Sequence, residues 1–405
     1  MMTRALQHIR NFNYRDTRLA GASNDAWLSG IVLALLTLGV IMVASASITT
    51  ADRQTTQPFY YLWRQAMFII AGLGAATLVR RIPLLWWENA SRMLLIAAVV
   101  MLVIVFIPGL GRTLNGSTRW LALGPISFQV SEAVKLCTIV FLAGYLARHD
   151  EALRTSLAAL WRPLAVLSVL ALLLLIEPDL GATVIIFGSA LIMLFIAGTP
   201  LKYFLSLAAA VIAIFTALVF TSPYRLKRMI SFSDPWADPF NTGFQLTQAL
   251  IAFGRGEWWG VGLGGSVQKL FYLPEAHTDF IYAVLAEELG LLGALSVIVL
   301  FGLLCWRALL IGRRAREAQQ DFAAYLAWGI GAWLGLQAFV NIAVNMGLLP
   351  TKGLTLPFIS YGGSSIFICL IAVALLLRVD RETQDGGAQQ AHQQRRGGPL
   401  WRRAS

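Results

Sequence analysis

The chain has 405 residues, of which 57% are hydrophobic and only 13% are charged. Soluble domains contain about 25% charged residues, so the composition excludes an ordinary soluble enzyme and predicts a polytopic membrane protein. The net charge of +11 could suit a nucleic-acid binder, but the basic residues form short clusters between apolar segments rather than a continuous stripe. We therefore expect no nucleic-acid partner.

A scan for apolar runs of about 17–25 residues, the length that crosses a bilayer, finds ten segments. The first ends in ASAS, which resembles a signal-peptidase site, but it is longer than the hydrophobic core of a cleaved signal, so we interpret it as a retained helix. The predicted fold is all-α, with about ten transmembrane helices in a membrane domain over residues 26–379. The predicted spans are 26–47, 61–79, 92–108, 128–147, 163–177, 181–198, 201–221, 280–306, 322–347 and 363–379.

The basic residues predict the orientation, because cytoplasmic loops of membrane proteins are enriched in Lys and Arg. With ten spans, both termini lie on the same side, and that side holds Arg4, Arg10, Arg15, Arg18, Arg80, Arg81, Arg313, Arg314, Arg395, Arg396, Arg402 and Arg403. The opposite loops hold few basic residues, namely Arg53, Arg112, Arg119 and Lys352. We expect a cytoplasmic N-terminal segment over residues 1–25 and a disordered, basic cytoplasmic tail over residues 380–405.

One loop on the external side, residues 222–279, is far longer than an ordinary helix connection, and such loops are often functional. It is rich in aromatic residues, and Leu246, Leu250 and Phe253 follow helical spacing. The pattern predicts a short helix that either lies at the membrane surface or packs on the bundle.

Several ionisable residues fall at or within spans, where they are costly unless they are paired or functional. Glu132 and Lys135 are three residues apart and can pair on one helix face, either as a structural ion pair or beside a substrate groove. Arg64 opens the second span, while Glu287 and Glu288 follow Asp279 by eight and nine residues. The pattern leaves open whether one of these glutamates lines a cavity.

The junction between the long loop and the eighth span contains His277 and Asp279. These residue types ligate zinc, but the chain has only four histidines and no second cluster at ligand spacing, so we expect no zinc site. Asp279 lies where the loop meets the span, and this position gives it access to both water and the lipid headgroup layer. Asp179 is interpreted as the N-cap of the sixth span.

Five sequence stretches give the chain a specific resemblance to a known family. They are NGSTRWLALGPISFQVSEAVKL, EPDLGAT, PYRLKRMISFSDPWADPFNTGFQLTQALIAFGRGEWWGVGLGGSVQKL, PEAHTDFIYAVLAEELG and GLLPTKGLTLPFISYGGSS. The chain resembles the SEDS family (shape, elongation, division and sporulation) of integral-membrane peptidoglycan glycosyltransferases over essentially all ten spans. PTKGLTLPFISYGGSS and PEAHTDF are similar to the division branch rather than to the elongation branch. Phe244 and Ala249 differ from the residues that many members of this family have at these positions, and neither is the acidic residue of the PEAHTDF motif.

The resemblance implies that the protein joins lipid II, a lipid-linked disaccharide-pentapeptide, into glycan strands at the outer face of the inner membrane, at the division septum. Asp279 occupies the acidic position of the family motif and is the expected general base, with His277 orienting it. Cations should stabilise the departing diphosphate, with the aid of a divalent ion such as Mg or Mn. The candidate diphosphate or sugar contacts are Arg225, Lys227, Arg228, Arg255, Lys269 and His277.

The resemblance also implies partners, namely a class B penicillin-binding protein that acts as the septal transpeptidase, and other membrane proteins of the division machinery. Two other functions stay open from the residues alone. A lipid II flippase would use intramembrane charges such as Glu132 and Lys135, although the two halves show no clear inverted repeat. A scaffold without chemistry would recruit the transpeptidase through its helices.

Overall fold

The computed structural model describes residues 25–396 except 115–116, 125, 156–157, 222, 271–272 and 352. The described chain is helical apart from one small sheet. The elements are α1 (Ala26–Thr55), α2 (Tyr60–Val79), α3 (Leu84–Val105), β1 (Gly111–Leu114), β2 (Ser117–Leu123), β3 (Ile126–Gln129), α4 (Val130–Arg148), α5 (Asp150–Thr155), α6 (Ala158–Ile176), α7 (Leu180–Ile196), α8 (Leu201–Phe220), α9 (Pro223–Ser233), α10 (Phe244–Gly256), α11 (Ile281–Glu317), α12 (Asp321–Asn345) and α13 (Gly363–Arg396).

The ten predicted spans correspond to ten apolar helices. Nine helices of the described chain are long and apolar enough to cross a membrane, and α7 is a shorter apolar helix of 17 residues. The predicted polytopic fold is therefore confirmed. Several helices are longer than the predicted spans. The first turns of α3 contain polar residues that the hydropathy scan excluded, so the helix begins at Leu84 instead of 92. At their C-terminal ends α1 runs to Thr55, α11 to Glu317 and α13 to Arg396, the last of these into the tail that was expected to be disordered.

The centre of the bundle is formed by α4 and α12, which are buried on nearly every face. A helix that is apolar and buried all round belongs to the interior of a large assembly of helices. At the other extreme, α8 has no buried residue along its 20 residues. This helix therefore lies at the periphery, where lipid would surround it.

The two described ends of the chain lie at the same end of the bundle. Asp25, which caps α1, forms an ion pair with Arg307 of α11, and Asp380 of α13 lies 3.5 Å from Arg314. Arg378 donates a hydrogen bond of 3.0 Å to the carbonyl of Arg80 at this same end. The opposite end, which we call the loop end, contains the sheet, α9, α10 and Asp279.

The three-stranded antiparallel sheet β1–β2–β3 was not predicted. Its register pairs Gly111 with Leu121 and Trp120 with Gln129. Sequence inspection assigned the last of these residues to the start of the fourth span, whereas the helix begins only at Val130. The sheet places Arg119 of β2 over the turn between α6 and α7, where its guanidinium donates to the carbonyls of Glu177 (3.2 Å) and Pro178 (2.9 Å).

The predicted helix in the long loop is α10, and Leu246 on it is buried. Gly256 at its end packs so closely on α11 that a Cβ there would lie 2.0 Å from the carbonyl oxygen of Ala286. Of the two predicted arrangements, the structure shows α10 packed on the bundle.

The loop also enters α11 itself, which is broken at Gly290 (φ 67°, ψ −167°). The carbonyls of Glu287 and Glu288 accept from the amides of Val261 and Gly262, each at 3.0 Å. The amide of Leu291 donates to the carbonyl of Glu257 at 2.9 Å, and that of Leu292 to Trp258 at 3.4 Å. In an unbroken helix these four groups of α11 would bond to one another, so residues 257–262 of the loop take the place of two helical hydrogen bonds.

Candidate functional site

Asp279 lies two residues before α11, and its side chain is half-buried. Its backbone carbonyl accepts hydrogen bonds from two side-chain amides of α12, Asn341 at 3.0 Å and Asn345 at 2.9 Å. No hydrogen bond to its carboxylate is made by the part of the chain that the structure describes. The backbone of this residue is therefore held firmly while its carboxylate stays available.

The carboxylate of Asp279 has an unusual proton affinity. Burial raises its pKa to about 7, and the negative charges of Glu275 and Asp179 act in the same direction. The guanidinium groups of Arg119 and Arg228 oppose this shift. At neutral pH this carboxylate therefore exists in both protonation states, as suits a group that accepts a proton during a reaction.

A second loop borders the carboxylate. A Cβ at position 353 would lie 3.1 Å from Oδ2 of Asp279, so the glycine found there keeps this space free. Arg228 of α9 donates to the carbonyl of Thr351 at 3.3 Å, which holds its guanidinium at the start of the same loop. The site is thus formed by α9, the loop around Gly353 and the entry to α11.

His277 is buried and packs between two tyrosines, with ring centroids 4.7 Å from Tyr61 and 5.7 Å from Tyr361. Burial lowers its pKa, against a smaller opposing effect of Glu275, so the imidazole is neutral at pH 7. Its carbonyl accepts from the amide of Tyr361 at 2.9 Å. These contacts join His277 to Tyr61 and Tyr361, and its predicted roles in orienting Asp279 and in contacting the substrate stay predictions.

Arg64 lies on the same side of the site, at the start of α2. Its guanidinium donates to the hydroxyl of Tyr60 at 2.8 Å and lies 5.5 Å from the centre of that ring. Arg64 is therefore near the outer rim of the aromatic group around His277.

The turn between α6 and α7 contributes two carboxylates, Glu177 and Asp179, to the surroundings of the site. Asp179 caps α7 by accepting from the amide of Ala182 at 3.0 Å, as predicted. Glu177 is buried, its carboxylate oxygens accept no hydrogen bond from the described part of the chain, and burial together with Asp179 raises its pKa to about 8. Arg119 lies 4.0 Å from Asp179 and acts electrostatically on Asp279. Sequence analysis offered little reason to place Arg119 near Asp279, because its position depends on a sheet that was not predicted.

Two of the predicted loop cations are paired with the glutamates of α11. Lys269 is buried and lies 2.7 Å from Glu288, whose carboxylate also accepts from Ser45 at 2.7 Å. Arg255 lies 3.6 Å from Glu287. These pairs attach the loop to the broken part of α11, away from the carboxylate of Asp279.

The remaining loop cations differ in position. Arg228 is half-buried and close enough to lower the pKa of Asp279, whereas Lys227 is exposed on α9. The side chain of Arg225, like Lys352 and residues 1–24, lies outside the described residues. Among the candidate cations, Arg228 is thus the one that the described structure brings to the site.

Glu132 and Lys135 of α4 form the predicted ion pair, with Nζ 2.8 Å from Oε1, and both are buried. The ammonium group also donates to Gln337 of α12 at 2.6 Å and lies 5.4 Å from the centre of the Trp333 ring. The pair is therefore bound into the centre of the bundle by α12.

Three amide side chains of α12 form a line that we call the amide ladder: Gln337, Asn341 and Asn345. Gln337 donates to the carbonyl of Thr355 at 2.9 Å and Asn341 to that of Leu354 at 2.5 Å, so both hold the loop that follows Gly353. All three are buried. Sequence analysis did not single them out, although polar residues at positions i, i+4 and i+8 of an apolar span share one helix face.

The fold and these contacts define a polytopic membrane protein with a half-buried carboxylate, flanked by two guanidinium groups, at its loop end. The model of the cell cycle protein family matches residues 26–385. A probable peptidoglycan glycosyltransferase FtsW from Thioalkalivibrio sulfidiphilus is 56% identical over 363 residues, which cover 90% of this chain and 91% of that protein. Another, from Legionella pneumophila, is 52% identical, covering 89% and 91%.

Two solved structures have the same fold. A chain of a peptidoglycan synthase complex, solved to describe how polymerization and crosslinking are coordinated, has a TM-score of 0.73 and 28% identity, covering 89% of this chain and 98% of that one. The rod shape determining protein RodA of Thermus thermophilus has a TM-score of 0.64 and 26% identity, with the same coverage. The chain belongs to the cell cycle protein family and is a SEDS protein of the FtsW type, the division branch that its motifs predicted.

Proposed function

We propose that this protein is the peptidoglycan glycosyltransferase that polymerises lipid II for septal wall synthesis, with Asp279 as the general base. The enzyme class is the one named for its relatives at 56% identity. The observation that supports the assignment to Asp279 is its half-buried carboxylate, whose pKa is raised to about 7, beside Arg119 and Arg228.

The chemistry follows from these groups. A hydroxyl oxygen of the acceptor sugar attacks the anomeric carbon of the donor, and the bond from that carbon to the diphosphate oxygen breaks. Asp279 accepts the hydroxyl proton, while the bonding electron pair leaves with undecaprenyl diphosphate. A base whose pKa is near the working pH removes such a proton more effectively than an ordinary carboxylate does, and general-base catalysis contributes about 10²–10⁴ in rate.

The two guanidinium groups that lower the pKa of Asp279 also suit the leaving group. Negative charge grows on the diphosphate as it departs, and preorganised cations stabilise it. Arg228 projects from α9 and Arg119 from β2, so they approach the carboxylate from two elements. We assign Arg228 and Arg119 to the diphosphate ahead of Lys269 and Arg255, which are paired with glutamates.

A divalent cation such as Mg or Mn fits this site only when it binds together with the diphosphate of the substrate. No group of three His, Cys, Asp or Glu side chains comes together at metal-binding distance in the described part of the chain. Mg²⁺ commonly binds through one or two carboxylates plus substrate phosphates. Diphosphate oxygens would therefore supply most of its ligands, and the ion would neutralise charge on the leaving group.

The location follows from the substrate. Lipid II keeps its polyprenyl chain in the bilayer and its sugars outside, and Asp279 lies where a loop meets a membrane-spanning helix. We place the loop end at the outer face of the inner membrane at the division septum, with both chain termini in the cytoplasm, as the Arg-rich opposite end favours. The partner is a class B penicillin-binding protein, supported by the likeness to a chain from a complex that polymerises and crosslinks.

The decisive experiment compares Asp279→Asn with Asp52→Asn, the same change at an exposed aspartate of α1 at the loop end. Each protein is reconstituted with its transpeptidase partner and fluorescent lipid II, and glycan strands are separated on a gel. Asp279→Asn should lose strand formation by at least the 10²-fold that a base provides, with its melting temperature and partner binding retained. Wild-type polymerisation by Asp279→Asn would refute the base and favour a flippase or a scaffold.

A further inference from the structure

One asparagine side chain joins the backbone of the catalytic residue to the first turn of α11. Asp279 precedes Phe280, the N-cap of the helix, so its carbonyl takes no part in the hydrogen bonds of the helix itself, which begin at the carbonyl of Phe280. The side-chain oxygen of Asn345 accepts from the amide of Ala283 at 3.1 Å, and its nitrogen donates to the carbonyl of Asp279 at 2.9 Å. Asn345 thus bridges the carbonyl of Asp279 and an amide in the first turn of the helix.

Asn341, one turn earlier in α12, reaches the same carbonyl. Its nitrogen donates to Asp279 at 3.0 Å and to Leu354 at 2.5 Å. Leu354 follows Gly353, the residue that borders the Asp279 carboxylate. Asn341 therefore fixes the distance between the backbone of Asp279 and the loop that follows Gly353.

The two asparagines are also held to each other and to the bundle. Asn345 donates to the carbonyl of Asn341 at 2.9 Å, and both side chains are buried. The amide ladder continues to Gln337, which connects α12 to Lys135. Because α12 lies at the centre of the bundle, these amides attach the loop end to the buried centre of the fold.

We propose that Asn341 and Asn345 are positioning residues, which hold the backbone of Asp279 so that its carboxylate points at the acceptor hydroxyl. The proposal rests on the assignment of Asp279 as the base. Neither asparagine touches the reacting atoms, since both bond to the backbone carbonyl of Asp279. Their effect is on the geometry and surroundings of the carboxylate.

Positioning predicts a specific kinetic pattern. A displacement of about 1 Å in a reacting group can cost on the order of 10² in rate, so Asn345→Ala should lower kcat by about that factor and change KM for lipid II by less than about twofold. A released carboxylate is also better solvated, so the pKa that burial raises should fall. The part of the kcat–pH profile in which kcat rises as Asp279 loses its proton, the acidic limb, should then move to lower pH.

The test uses the full chain, reconstituted with its partner, in three variants. Asn345→Ala removes the bridge, and Asn341→Ala removes one of the two donors to Asp279 and leaves the bridge in place, so it is the milder change if Asn345→Ala does not fold. The matched control is Val344→Ala, which removes buried side-chain atoms from the same turn of α12 without removing a side-chain hydrogen bond. Strand formation is measured from pH 5 to 9 together with the melting temperature.

The proposal is supported if the asparagine variants lose kcat and shift the acidic limb to lower pH, while Val344→Ala keeps the wild-type profile. It is overturned if the asparagine variants keep the wild-type kcat, or if activity falls only with the folded fraction and the limb stays in place. Asp279→Asn separates the two proposals: if it is inactive while the asparagine variants are normal, the positioning role fails and the general base stands.

Discussion

Carboxylates lie just before α11 and near its break, and the structure holds them in opposite ways. Asp279 at the entry has its backbone fixed by Asn341 and Asn345, whereas its carboxylate receives no hydrogen bond from the described chain. Glu287 and Glu288 near the break have their carboxylates occupied. Glu287, for example, accepts from the hydroxyl of Ser266 at 2.5 Å and the amide of Val267 at 3.1 Å.

The difference separates structural acids from a reactive one. A carboxylate whose oxygens already bond to donors and a cation serves to connect parts of the structure. A carboxylate that is partly desolvated and short of donors keeps a raised pKa and can exchange its proton. The contrast between Asp279 and the glutamates can be tested by removing each charge.

The largest effect on stability is expected at Glu288. Glu288→Gln keeps the side-chain size but leaves the buried Lys269 without its counter-ion, which typically costs about 3–5 kcal/mol. We expect a strongly lowered melting temperature in detergent and poor expression. Asp279→Asn, the same kind of change eight residues from Glu287, should melt as the wild type does. Equal melting temperatures for Glu288→Gln and the wild type would contradict the structural role of the Lys269 pair.

An intermediate effect is expected on the pH dependence of catalysis. Because Asp279 must be deprotonated to act as a base, and its pKa is about 7, kcat should rise with pH through about 7. Glu275→Gln removes a charge that raises this pKa and should move the rise to lower pH. Arg228→Gln removes a charge that lowers the pKa and should move it to higher pH.

The measurement is the rate of strand formation from pH 5 to 9 at saturating lipid II. Asp52→Asn is again the control, because Asp52 is exposed and distant from these charges in sequence. Shifts of the two variants in the same direction would be incompatible with the charge arrangement described for Asp279.

The smallest effect is expected for Arg255→Gln. The Arg255 side chain is 44% exposed and its closest approach to Glu287 is 3.6 Å, and exposed ion pairs contribute about 0–1 kcal/mol. Glu287 keeps its bonds to Ser266 and Val267. We therefore expect a melting temperature within a few degrees of the wild type and near-normal strand formation. A severe loss of polymerisation at unchanged stability would instead place Arg255 on the substrate.

Sequence reasoning succeeded where a single physical signal dominates. Hydropathy gave the ten spans, helical spacing gave α10, and a separation of three residues gave the Glu132–Lys135 pair. It did not find what depends on contacts between distant segments. Arg119 reaches the site through a sheet of short strands, and Lys269 reaches Glu288 because the loop returns to α11.

The polar face that forms the amide ladder could have been predicted from the sequence. Gln337, Asn341 and Asn345 are polar residues at four-residue spacing inside an apolar span, and such residues are costly in a membrane unless they bond to something. The pattern predicts a polar face on α12. What that face bonds to, the carbonyl of Asp279 and the loop after Gly353, could come only from the structure.

The break at Gly290 makes α11 dependent on the loop for some of its backbone hydrogen bonds. The carbonyls of Glu287 and Glu288 and the amides of Leu291 and Leu292 bond to residues 257–262 instead of to one another. Unsatisfied backbone groups are costly in hydrocarbon. Residues 257–262 precede α11 in the chain, so the groups that complete this helix are synthesised before it. A chain that lacked these residues would leave four backbone groups of a membrane-spanning helix without partners.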